Sequence, residues 1–82
     1  PISVYPTRFQ RQLTIRGLSA FRYRLSDLQG RKLEEGLVRN TTEEMVHQLK
    51  LPQQLPVGSY LLRLETLDGK RSHLQQLLKP AP

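Results

Sequence analysis

The sequence predicts an all-β fold, a small antiparallel sandwich. Three observations lead there. Short runs alternate apolar and polar residues with a period of two, as half-buried strands do. Gly, Pro and Asp punctuate those runs at roughly 8–12-residue intervals, a spacing typical of sandwiches. Asp68-Gly69 between two apolar-periodic runs adds one of the strongest short-range hairpin signals. About seven strands fit, an immunoglobulin-like number.

Ile2, Val4 and Tyr5 form a short β-prone segment that Pro6 stops, because proline cannot donate to a strand ladder. Leu13-Thr14-Ile15 reads as a second short strand, with Leu13 and Ile15 on one face and Gln12, Thr14 and Arg16 on the other, ended by Gly17. Phe21 to Asp27 alternates most cleanly: Phe21, Tyr23 and Leu25 point one way, Arg22, Arg24 and Ser26 the other. Burying each large apolar side chain there contributes roughly 1.5–3 kcal/mol, so the arginines must face solvent or an anionic partner. Asp27-Leu28-Gln29-Gly30 reads as a turn and Lys32 to Val38 as the returning strand, with a bend expected at Gly36.

The stretch from 41 to 50 carries two patterns. Thr41 followed by Glu44, with Val46 and Leu49 spaced by three, fits a capping box at a helix start, and propensity alone favours that helical turn. Alternation of His47, Leu49 and Leu51 up to Pro52 fits a strand instead. Leu51-Pro52-Gln53-Gln54 reads as an extra loop.

The last third is the best defined. Leu55-Pro56-Val57-Gly58 is a turn, after which Tyr60, Leu62, Leu64 and Thr66 share one face and Leu61, Arg63 and Glu65 the other. Asp68-Gly69 is a strong hairpin signal, because both residues tolerate positive φ. Leu74, Leu77 and Leu78 have 3- and 4-residue spacing that also fits one helical turn. The segment is short and follows Asp68-Gly69, so Leu74 to Leu78 reads as a final strand, and Pro80-Ala81-Pro82 as a frayed end.

Eighty-two residues make one domain, near the lower end of what folds on a single core. There is no cysteine, which excludes disulfide staples, thiol catalysis and thiolate metal sites. Thirteen Lys and Arg against seven Asp and Glu give a net charge of +6, which favours anionic partners. No apolar run approaches the ~20 residues that span a bilayer. The opening Pro1-Ile2-Ser3-Val4-Tyr5-Pro6 lacks the basic-apolar-small order of an export signal, and leads us to expect a domain taken from within a longer protein.

Three pieces in this order, Ile2-Ser3-Val4-Tyr5-Pro6, Asp27-Leu28-Gln29-Gly30-Arg31-Lys32, and Leu55-Pro56-x-Gly58-x-Tyr60 with Asp68-Gly69-Lys70 and a terminal apolar strand ending in Lys79, resemble the C-terminal sorting domain of type IX (Por) secretion cargo, type A. The resemblance covers nearly the whole chain. It departs from the family after Tyr5-Pro6, where Thr7-Arg8-Phe9 replaces the usual Asn-Pro, and around residues 41–54, where the family's segment is shorter. It implies a strand leading into the Leu-Pro-x-Gly turn, and we adopt that for 41–50. It implies a signal recognised by the outer-membrane translocon and its sortase-like machinery, in the periplasm during transit and then at the outer membrane, on the cell surface or in the medium. By motif match, the recognition residues would be Gly58, Tyr60, Asp68, Gly69, Lys70 and Arg71, with Leu74, Leu77, Leu78 and Lys79 of the terminal strand. The alternative is an uncleaved module that anchors its parent by binding the secretion machinery or anionic lipopolysaccharide. For Gly58, Tyr60, Asp68 and Gly69 the plainer role is to make the fold.

No catalytic constellation accompanies these motifs. His47 and His73 lack His-x-x-x-His spacing, Ser26, Ser59 and Ser72 lack an adjacent base, and Glu34-Glu35 and Glu43-Glu44 would point to opposite faces of a strand. We expect no enzyme, cofactor or metal. Arg22 and Arg24 share a strand face that Arg16 could join, with Arg8 and Arg11 in the preceding loop, as a basic docking face. Nucleic acid is not expected, since Phe21 and Tyr23 lie on the inward face and leave no stacking platform outside. Strand pairing or swapping into a homodimer is a further partner to consider.

Overall fold

A computed structural model describes residues 1–39 and 43–81. Seven strands are formed: β1 (Ser3–Tyr5), β2 (Gln12–Arg16), β3 (Phe21–Asp27), β4 (Lys32–Val38), β5 (Val46–Lys50), β6 (Gly58–Thr66) and β7 (Ser72–Lys79). They make a three-stranded sheet ordered β1-β2-β5 and a four-stranded sheet ordered β4-β3-β6-β7, every pairing between named strands antiparallel. The fold is thus the expected immunoglobulin-like sandwich.

Alternation in sequence becomes the two faces of each sheet. From the four-stranded sheet Phe21, Leu25, Leu62, Leu64 and Leu77 point inward, and from the other sheet Leu13 and Ile15 meet them, all at most 1% exposed. The register keeps these residues facing: Leu25 lies opposite Leu62, and Leu13 opposite Leu49. A slip of one residue would turn every one of them to solvent.

Over the described part of 41–50 the strand prevails, from Val46 to Lys50. Once β2 offers Leu13 and Ile15 inward, pairing with Leu49 and His47 buries a second row, which one isolated helical turn could not do. His47 places its ring edge-on to Phe21 of the opposite sheet, centroids 6.0 Å apart. The expected capping residue Thr41 lies outside the described residues. Leu51 is more than loop: it is buried, and its amide donates to Arg11 O at 2.8 Å.

The N-terminal arm serves both sheets. After β1 the Tyr5–Pro6 bond is cis, and the chain crosses to run parallel to the end of β7. Phe9 N donates to Leu78 O at 3.0 Å, and Leu78 N to Thr7 O at 2.8 Å. That crossing drives Phe9 between the sheets with no exposed surface, ring edge-on to Tyr60 at 6.0 Å.

The β3–β4 register runs unbroken through Gly36, and its irregularity falls between Leu25 and Ser26. What Gly36 supplies is room. It sits opposite Tyr23, and a Cβ there would come within 2.7 Å of the tyrosine ring. The ring covers the glycine, a common way of protecting a gap in an edge strand.

Candidate recognition surface

The Leu-Pro-x-Gly-x-Tyr turn is a structural device first. Tyr60 is buried, and its hydroxyl donates to the carbonyl of Pro56, four residues upstream. This is the tyrosine corner of immunoglobulin-like sandwiches, which ties a loop to the strand it enters. Burial of the ring, and to a smaller extent the charge of Asp27, raise the Tyr60 pKa above that of a free tyrosine, so the hydroxyl stays protonated as a donor. Gly58, at φ 149°, takes the chain into β6, and no atom lies near where its Cβ would be.

The two Asp-led turns share a mechanism. Asp68 Oδ1 accepts from Lys70 N at 2.9 Å and from Thr66 Oγ1 at 2.7 Å. Asp27 Oδ1 accepts from Gln29 N at 3.0 Å and Arg31 N at 2.9 Å, while Oδ2 pairs with Arg31 Nε at 2.8 Å. Bonds from backbone amides favour the ionised carboxylate, so both aspartates titrate below the usual range. The β6–β7 connection is wider than a two-residue Asp-Gly turn. It runs from Leu67 to Arg71, closed by Gly69 N to Thr66 O at 2.9 Å and Thr66 N to Arg71 O at 3.0 Å. Only Gly69 takes positive φ there, at 75°. Lys70 and Arg71 stand exposed on this loop.

The terminal strand divides its leucines. Leu77 is core at 1% exposure, whereas Leu74 is 63% exposed and Leu78 also lies outward. Lys79 points back toward the protein, with Nζ donating to Leu55 O at 2.8 Å and Gln53 O at 3.3 Å. It thereby holds β7 to the loop before β6. His73 also turns inward, partly buried, 3.3 Å from Gln75 Oε1. The arm at Thr7–Phe9 covers β7's outer edge only around Leu78.

The proposed basic face is redrawn. Arg22 and Arg24 lie on the outer face of the four-stranded sheet, but Arg16 is exposed on β2 of the other sheet. The residue that joins them is Arg63 of β6, directly opposite Arg24. Sequence alternation placed Arg63 outward, yet only strand pairing shows which outward residues meet. Among the described residues no group of three or more His, Asp or Glu is placed to hold a metal ion.

No protein-family model matches the chain, and the searches of curated proteins and of solved structures likewise find no match.

Proposed function

We propose that this domain is a C-terminal sorting signal, read by a type IX secretion system to carry its parent across the outer membrane to the cell surface. The observation that carries it is the ordered set Ile2-Ser3-Val4-Tyr5-Pro6, Asp27-Leu28-Gln29-Gly30-Arg31-Lys32, Leu55-Pro56-x-Gly58-x-Tyr60, Asp68-Gly69-Lys70 and the terminal strand ending at Lys79. The fold supports it. A signal read by binding needs a folded shape with an accessible end, and β7 presents Leu74 outward beside the Lys70–Arg71 loop. Leu77, in the core, and Lys79, tied to the loop before β6, anchor the other end of β7, so their contribution to sorting would be indirect.

The direct test fuses residues 1–82 to a passive reporter in a bacterium with a type IX system. The expected result is reporter on the surface or in the medium, lost when the translocon is deleted. Reporter held in the periplasm would overturn the proposal. Truncating the terminal strand is a poor test, because it removes a core leucine and the Lys79 tie. Leu74→Ser with Lys70→Gln and Arg71→Gln leaves the core intact, and should reduce export without lowering the melting temperature.

A further inference from the structure

The outer face of the four-stranded sheet carries an arrangement that folding does not require. Read across the strands, one row is Glu35, Arg24, Arg63, Leu74, and the next is Leu37, Arg22, Glu65, Ser72. Arg24 and Arg63 are thus direct cross-strand neighbours, with Cβ atoms about 5 Å apart by sheet geometry, and like charges so placed destabilise a sheet. Arg22 lies two residues along β3, about 7 Å away. None of the three guanidiniums forms an ion pair among the described residues. Glu35, across from Arg24, is held first by Lys32, whose Nζ lies 2.8 Å from its Oε1, and the Arg24 charge adds a weaker attraction without forming an ion pair. A shallow depression of about 220 Å³ opens between these arginines, Glu35 and Glu65.

We infer that this face docks an extended acidic protein segment, whose carboxylates enter between Arg22, Arg24 and Arg63. The spacing fits. Residues i and i+2 of an extended chain project to one side about 7 Å apart, the same repeat that separates Arg22 from Arg24. Each guanidinium presents a planar fork to a carboxylate, and Arg63 closes the set from the neighbouring strand. Leu37, 45% exposed, and Leu74 lie at the margins, where they would cover apolar side chains of the same segment. Glu35 and Glu65 argue against a broad polyanion such as a nucleic acid or an anionic bilayer, which would press phosphates onto both acids. This assignment is independent of the sorting proposal, since a domain of any role could carry it.

The test is an NMR titration of the ¹⁵N-labelled chain with an end-capped hexapeptide of alternating glutamate and valine, and with its glutamine–valine counterpart. Expected are amide shifts centred on residues 22–24 and 61–65 with the acidic peptide alone, fading as salt rises. Arg24→Gln with Arg63→Gln removes two charge-assisted contacts and should weaken binding by at least about tenfold. The same variant should melt no lower than the parent, because a repulsive pair has been removed. Undiminished binding by that variant, equal binding of the glutamine peptide, or shifts centred on Lys70, Arg71 and Lys79 would overturn the inference. So would binding to phosphatidylglycerol vesicles in place of the peptide, or dimerisation through this face by sedimentation, since each names a different occupant.

Discussion

Phe9→Ala tests the packing most severely. Phe9 lies in no named strand; it is core only because the N-terminal arm crosses between the sheets and is bonded to Leu78. A fully buried phenylalanine truncated to alanine costs about 3–5 kcal/mol in transfer and cavity terms. Its ring also meets Tyr60 edge-on, a contact contributing about 0.5–1.5 kcal/mol beyond area. At about 0.05–0.15 kcal/mol per residue, a chain of 82 residues has roughly 4–12 kcal/mol in total, so the variant should be marginal or unfolded. Each kcal/mol lowers the melting temperature of a domain this size by about 4–8 °C, which puts the expected drop at about 12 °C or more. Urea unfolding followed by circular dichroism measures it, with Phe9→Leu as the milder partner variant that keeps enough core to give a two-state curve. A loss below about 1 kcal/mol for Phe9→Ala would place the side chain at the surface and refute the crossing arm.

Three further outcomes are expected. Tyr60→Phe keeps the ring and removes only the hydroxyl bonded to Pro56, so it should cost about 1 kcal/mol in chemical denaturation; no change would mean the corner contributes nothing. Glu34 points inward from edge strand β4 with Oε2 buried and unpartnered among the described residues, so Glu34→Val should raise the melting temperature. Because an inward charge also guards an edge, the same variant should begin to self-associate in light scattering, and a destabilised monomer would contradict both effects. Asp27, Asp68 and Glu35 all have folded pKa values below their unfolded ones, Glu35 through its bond with Lys32. Their contribution is therefore complete above the unfolded carboxylate range and is lost as pH falls through the folded values. Melting temperature should fall on acidification through that range, and the fall should be shallower in Asp27→Asn with Asp68→Asn; an unchanged slope would mean those turns carry no linkage.

The class of fold and most strand positions are legible in the residue pattern, because a period of two and strong turn residues are local signals. Phe21–Asp27 and Lys32–Val38 form as strands with the bounds their alternation implied. Asp27, Gly30 and Gly69 mark turns through bonds or φ values that reach only a few residues away. Segment 41–50 was not legible in that way, since helix and strand patterns overlapped until β2 supplied a partner. Phe9 gave no periodic signal, being buried by pairing with Leu78. Leu51 stood both in the inward alternation with His47 and Leu49 and in the expected loop, and pairing with the distant Arg11 accompanies its burial.

The candidate site divides along the same line. Leu74 and Leu77 are alike in sequence, and β7's register sends one to solvent and the other to the core. Lys79 was a free cation on paper, whereas its amine holds two carbonyls 24 and 26 residues earlier. Arg63 was one outward residue among several until it lay opposite Arg24. Alternation tells which way a side chain points within its own strand. Which strand lies beside it, and so which charges and leucines share a face, is set by non-local pairing that only the tertiary structure decides.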